Sequence, residues 1–314
     1  TKTENGVGGY TWSRDGKSIA FTAGDIDSKA AKARQDYLGG FEVVRREYTH
    51  SHLWTFDVAE ALKAPAAGTQ RTKGKDFTVG GASWSPDGKW IAFSATVNPD
   101  LIQGGTSDIY LLSVADNSIK KLVSQPGPDS NPNWSPDGKW IVFSSAMGNP
   151  KFFHANTRLA LVSVDGGTPR SITDSFDEQP QFAEWNADGI YFSGAQKTAS
   201  HFFKLDPASG RMIGAFRYPG VIGHVGVLDL GSGGIRKLAE IKGQMLYRVT
   251  SLAYDPDAET AYYTADNYAY RDLMAVDVKS GKTRMLIRDG RIGDIVVNPK
   301  DKAIWGLRHL NGYV

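Results

Sequence analysis

The 314-residue chain contains no cysteine. That excludes disulfides, thiolate metal sites and a cysteine nucleophile. Neither sign of charge dominates: 36 Lys and Arg stand against 34 Asp and Glu, for a formal net charge of +2. No global basic field therefore points to nucleic acid or to an acidic lipid surface. No apolar run approaches the roughly 18 residues that a membrane helix needs. The G-x-S-x-G elbow of a serine hydrolase is missing as well; Gly231–Gly234 (GSGG) reads as a hairpin turn. The chain starts at Thr1 without Met or a signal-type segment, so periplasmic and cytoplasmic placement both stay open.

Glycine (35) and tryptophan (8) are what the chain has in quantity, and short apolar runs between turn residues suggest many short strands. Four segments repeat one another: Tyr10–Phe21 (YTWSRDGKSIAF), Ser83–Phe93 (SWSPDGKWIAF), Asn133–Phe143 (NWSPDGKWIVF) and Glu184–Phe192 (EWNADGIYF). Each reads as strand, turn, strand. Pro presets φ, Gly accepts positive φ, and Asp bonds the local backbone. Alternation in Trp90-Ile91-Ala92-Phe93 predicts a half-buried strand. Looser copies follow at Ala253–Tyr263 and Val296–Trp305.

Anchored on Trp12, Trp84, Trp134, Trp185, Tyr254 and Val297, the repeats are 72, 50, 51, 69 and 43 residues apart. A second hairpin follows most anchors, at Asp108–Val123, Leu159–Ile172, Phe202–Phe216 and Leu273–Ile287. Two hairpins make a four-stranded antiparallel unit that cannot bury both faces alone, so several must pack around an axis. The expected fold is an all-β propeller of about seven blades over residues 1–314, because 314 residues in seven units gives about 45 each.

Two units are irregular. The first carries an insertion over residues 24–51, in which Ser28–Arg34 can form a helical turn and Phe41–Tyr48 a strand, before a third strand at Leu53–Val58. Val225–Ile241 reads as the outer half of a blade without an inner half. The repeat dialect changes near 218–224, through divergence or a junction between two propeller sequences. The last unit stops at Asn311–Val314, where its third strand should begin, so the final blade is expected to be truncated and the parent chain to continue.

Trp84–Ser94 (WSPDGKWIAFS) and Trp134–Ser144 (WSPDGKWIVFS) resemble the WD-like repeat of Tol-type periplasmic propellers and of prolyl oligopeptidase family propellers. Gly39–Phe56 (GGFEVVRREYTHSHLWTF) resembles the first-blade region of bacterial acylaminoacyl-peptidase and dipeptidyl-peptidase members. The likeness extends best over residues 1–216. It implies a substrate-gating propeller, itself without catalysis, that covers the active site of a C-terminal α/β-hydrolase domain of the same parent chain. The partners it implies are that domain and peptide substrates. The acidic motif that binds a substrate amino terminus in dipeptidyl-peptidases is not evident. The alternative is a stand-alone Tol-type scaffold that binds a protein partner.

Candidate contacts lie in the insertion, since irregular segments on a regular scaffold tend to carry recognition. Arg45 and Arg46 could hold a carboxylate in bidentate fashion, beside Glu47. His50 and His52, two apart, share one face of a strand. They are substrate or interface candidates; a zinc site wants three or four ligands, so no metal is expected. The turn residues Asp15, Asp87, Asp137 and Asp188, the repeated tryptophans, and Tyr262, Tyr263, Tyr268 and Tyr270 read as structural. No phosphate loop is present, and no cofactor is expected.

Overall fold

The computed structural model describes residues 6–25, 29–39, 48–65, 68–196, 199–217, 224–229, 234–240, 249–266 and 271–308. The chain divides into two compact units, Thr1–Gly214 and Ala215–Val314. The division falls beside the change in repeat dialect.

Unit one carries four antiparallel four-stranded sheets, each a simple meander, and the last strand of the fourth runs on past Gly214. The first is β1 (Val7–Trp12), β2 (Ser18–Gly24), β3 (Ser51–Asp57) and β4 (Thr69–Gln70). The second is β5 (Thr78–Trp84), β6 (Trp90–Thr96), β7 (Asp108–Ser113) and β8 (Ile119–Val123). The third is β9 (Asp129–Trp134), β10 (Trp140–Ser145), β11 (Arg158–Ser163) and β12 (Arg170–Ser171). The fourth is β13 (Gln181–Asn186), β14 (Gly189–Gln196), β15 (Ala199–Leu205) and β16 (Met212–Arg217).

Unit two contains the two-stranded sheet β17 (His224–Leu228) and β18 (Ile235–Glu240). A four-stranded sheet follows: β19 (Val249–Asp255), β20 (Thr260–Asp266), β21 (Arg271–Asp277) and β22 (Thr283–Ile287). The two-stranded β23 (Ile292–Val297) and β24 (Ile304–Arg308) come last. The fold is therefore all-β and of propeller type. Among the described residues it has five four-stranded blades and two two-stranded sheets.

The repeated turn works as a small hydrogen-bonded lock. Ser85 is 2% exposed; its hydroxyl donates to Asp87 Oδ1 at 2.7 Å and accepts from Trp90 N at 2.9 Å, while Lys89 N donates to Asp87 Oδ1 at 3.1 Å. Ser13 with Asp15 and Ser135 with Asp137 repeat the arrangement. Gly88 sits at φ +70°, which only glycine adopts freely. In unit two the buried serine gives way to Asp255 and Asn298, whose Oδ1 atoms accept from Asp257 N and Lys300 N. The looser dialect thus keeps the lock with a different side chain.

Side-chain alternation assigns each strand face to a neighbour. Ile91 and Phe93 pack backward against Ala20 and Leu53, whereas Ala92 packs forward with Ile141 and Phe143. Val142 turns in the same way toward Ile190, Phe192 and Phe203 of the fourth sheet. This corrects the half-buried strand expected at Trp90–Phe93: Ile91, Ala92 and Phe93 are all 0% exposed, because the sheet is covered on both faces. The anchor tryptophans also do more than fill space. Trp84 and Trp134 are half-buried, and their Nε1 atoms donate to Thr11 O and Ser83 O in the preceding sheet, each at 3.2 Å.

A second tie runs between outer strands. Arg71 Nη1 donates to Val114 O at 3.2 Å and to Asn117 Oδ1 at 3.0 Å. Lys120 Nζ donates to Val164 O at 3.3 Å and Asp165 O at 3.2 Å. Arg170 reaches Pro207 O, and Arg236 in unit two reaches Val278 O and Lys279 O. In each case a basic residue on or beside the outer strand of one sheet holds carbonyl oxygens at the outer turn of the next. Arg236 thus makes from β18 the same tie that the outer strands make in unit one. Val225, Leu238 and Ala239 pack on Ala261, Tyr263 and Ala265 as one blade on the next.

Candidate functional site

In a meander, the connections between second and third strands all emerge at one end of the sheets. In the first three sheets these connections are long, whereas in the fourth only two residues separate β14 from β15. The first is residues 25–50. It contains the helix α1 (Lys29–Leu38), longer than the single turn expected and without a buried residue; its Lys-Ala-Ala-Lys-Ala-Arg-Gln run consists of good helix formers. The second, residues 97–107, contains a 3-10 turn at Leu101–Thr106, and the third, residues 146–157, another at Phe152–His154. The opposite end carries the short Ser-Asp-Gly turns.

These connections touch in succession. Tyr48 Oη donates to Asp100 Oδ2 at 3.2 Å, tying the insertion to the second connection. Gly105 lies so close to Phe152 that a Cβ there would stand 2.8 Å from the ring, so the second meets the third. Each carries exposed apolar side chains: Tyr37, Leu101 and Phe153 are 87%, 91% and 79% exposed, and Leu38, Val97 and Ile102 are exposed as well. Exposed large apolar side chains on three neighbouring connections make this end of the sheets the candidate for contact with a partner.

The sequence-derived candidates sit at and within the insertion. Arg45, Arg46 and Glu47 lie outside the described residues, as do Tyr268 and Tyr270. His50 and His52 are 3% and 1% exposed. His50 Nδ1 donates to Phe77 O at 3.2 Å. His52 Nδ1 lies 3.3 Å from Thr72 Oγ1, and its Nε2 lies 3.2 Å from Asp25 Oδ1. Asp25 N donates to His50 O and Ser51 N to Thr78 Oγ1, each at 2.8 Å. His50 therefore ties the end of the insertion to the residue before the second sheet, and His52 lies buried beside Asp25 at its start. Among the described residues, no group of three His, Asp or Glu is placed to hold a metal.

Beneath these connections lies a buried polar network that the sequence reading missed. Asp129, 0% exposed, accepts from Gln125 Nε2 at 3.0 Å through Oδ1, and Gln125 Nε2 also donates to Ser145 Oγ at 2.9 Å. Ser107 Oγ donates to Asp129 O at 2.7 Å. Asp129 Oδ2 is buried with no hydrogen-bond partner. Burial pushes the Asp129 carboxyl up to about 6; contacts with Ser145 and Gln125 pull the other way, and the charge of Asp108 adds to the rise. Asp108 is itself paired with Lys121 Nζ at 2.8 Å. At the opposite end, a groove of about 370 Å³ between the second and third sheets is lined by Trp90, Trp134, Asp87, Asp137 and Lys120.

Comparison with known proteins places this architecture. Residues 62–213 match the family described as the TolB beta propeller domain, PD40. No curated protein sequence matches the chain significantly. Among solved structures, a prolyl endopeptidase is similar at 15% identity with a TM-score of 0.60, over 97% of this chain and 46% of that one. The propeller domain of the Trilobed protease from Pyrococcus furiosus, described as having an open velcro topology, is similar at 12% identity and TM-score 0.51, over 100% and 92%. The propeller domain of Cps50 (Swd1) from Myceliophteria thermophila is similar at 11% identity and TM-score 0.58, over 96% and 94%. At these identities the likeness concerns the fold alone. The chain covers less than two thirds of the length of the TolB and prolyl endopeptidase structures it is similar to, from 46% to 65%.

Proposed function

We propose that this chain is the non-catalytic, substrate-gating propeller of a prolyl-oligopeptidase-type serine peptidase acting on peptides. The supporting observation is the exposed apolar side chains on the first-blade insertion and the next two connections. A hydrolase domain of the parent chain would cover these tips, and the insertion would stand at the route of entry. In this reading the seven sheets are seven blades around one channel, which admits short peptides and excludes folded proteins by size. The test is kinetic and uses the parent enzyme. Deleting residues 26–47 should raise the cleavage of long peptides at least about tenfold while leaving short ones within about twofold, because a gate discriminates by access and not by chemistry. Equal effects on both would overturn the gate.

The second reading is a stand-alone Tol-type scaffold, favoured by the TolB family match over residues 62–213. There the same side chains would hold a protein partner and no hydrolase domain would belong to the chain.

A further inference from the structure

The groove between the second and third sheets is lined by two indoles and two turn carboxylates. Ala92, Leu111 and Lys120 pair across β6, β7 and β8, so they share the face that the second sheet turns to the third. Trp90 lies two residues before Ala92 and shares that face; it is 37% exposed. Trp134 lines the groove from the third sheet and is half-buried. The turns before β6 and β10 meet at one end. A Cβ on Gly138 would lie 3.6 Å from Pro86 Cδ, and each turn brings its aspartate, Asp87 or Asp137, to the groove. A volume of about 370 Å³ suits a small ligand or a single side chain.

Trp90 is not required by the blade. The pairs Trp12–Ile19 and Trp84–Ile91 put Ser18 of the first sheet at the position of Trp90 in the second. An exposed indole where a sister sheet carries serine calls for a reason other than packing.

The chemistry of the groove favours a cation. Its lysine is already engaged: Lys120 Nζ donates to Val164 O and Asp165 O. Trp134 Nε1 is committed to Ser83 O. Acceptors remain. The turn locks use Oδ1 of Asp87 and of Asp137. Asp87 Oδ2 has Lys89 Nζ at 3.7 Å, both side chains being more than half exposed, a pairing worth little in water. The Ser85 and Ser135 hydroxyls hold the two carboxyls below the usual range, so both are anionic at neutral pH. Trp attracts a cation over its ring more strongly than Tyr or Phe. A guanidinium also stacks flat on an indole and offers paired N–H groups to carboxylates.

We propose that this groove binds an arginine side chain of a peptide, whose guanidinium stacks on Trp90 and donates to Oδ2 of Asp87 and Asp137. The site lies at the end of the sheets away from the long connections. It goes beyond the gating reading and does not depend on it.

The probe is the tripeptide acetyl-Gly-Arg-Gly-amide, titrated at low salt while the indole N–H signals of the eight tryptophans are followed by NMR. The signals of Trp90 and Trp134 should move and saturate. The same peptide with citrulline, which keeps the shape and loses the charge, should bind at least about tenfold more weakly. Asp137→Asn keeps the Oδ1 acceptor of the turn lock and removes the charge; it should weaken binding at least about fivefold. Trp90→Ser, the residue of the first sheet, should weaken it by a similar factor and identifies the Trp90 signal by its loss. The remaining indole signals report whether each variant is folded, and the citrulline comparison on the unaltered chain stands if one is not. Equal affinity for the arginine and citrulline peptides overturns the proposal. So does a titration that leaves Trp90 and Trp134 unmoved, or binding unchanged in both folded variants.

Discussion

Replacing Asp129 by Asn should stabilise the protein at neutral pH, although it removes a hydrogen-bonded residue from the core. Asp129 is 0% exposed and its Oδ2 has no partner, so an ionised carboxylate there is penalised by burial and by Asp108. Its carboxyl is pushed from 3.8 to about 6. At about 1.4 kcal/mol per pKa unit, a shift of roughly two units gives an upper bound of about 3 kcal/mol. The sign follows from proton uptake. Between about pH 4 and pH 6 the folded chain binds the proton and the unfolded chain has lost it. The Asp129 contribution is therefore fully present below about pH 4, falls as pH rises through about 6, and stays lost above.

Asn imitates the protonated acid at all pH values, with an acceptor for Gln125 and a donor on the other side. The assay is urea denaturation of wild type and Asp129→Asn from pH 4 to 8, followed by tryptophan fluorescence. Seven of the eight tryptophans lie in Thr1–Gly214, so the signal reports chiefly on the unit that holds Asp129. The stability difference should be near zero at pH 4, grow through pH 6 and reach about 2–3 kcal/mol in favour of the variant at pH 8. A difference that is constant with pH, or a variant less stable at pH 8, would refute the reasoning.

Three further outcomes are expected. Ser85→Ala should cost about 1–2 kcal/mol, since it leaves a lock of three hydrogen bonds without its centre. It should also let the Asp87 carboxyl, now held below the usual range chiefly by the Ser85 hydroxyl, rise in an NMR titration. Arg170→Ala should lower unit-one stability by about 1 kcal/mol, the scale of a charge-assisted but exposed hydrogen bond, in the same urea assay. The double substitution Leu101→Ser and Phe153→Ser should change stability by no more than about 1 kcal/mol, because both side chains are solvent-exposed. It should weaken association with the partner domain or protein markedly in a titration by calorimetry.

Much of the blade architecture was legible because its determinants are local. Trp-Ser-Pro-Asp-Gly-Lys-Trp writes a turn and the two strands beside it within a few residues, and Asp116-Asn117 and Ser280-Gly281 mark outer turns in the same way. Burial on both faces at Ile91 and Ala92 was not legible there, since it depends on sheets about fifty positions away along the chain. Chain-distant geometry also hid the buried site of Asp129 and the touching of the three long connections. The basic ties left a fainter trace: Lys120-Lys121-Leu122, Arg170-Ser171-Ile172 and Arg236-Lys237-Leu238 share a basic residue two places before an aliphatic one. That pattern becomes informative only when the carbonyl at the other end is seen. His50 and His52 were picked out by their spacing, but their burial at the root of the insertion comes from Phe77, Thr72 and Asp25, which the spacing does not reveal.

The central claim is that this propeller gates a peptidase, and the coding sequence immediately downstream of the Val314 codon tests it most directly. The account predicts two further strands that complete the last blade, followed by an α/β-hydrolase domain with a G-x-S-x-G elbow. A stop codon within about 30 residues, room for two strands and nothing more, would contradict it and leave a propeller that works as a binding scaffold.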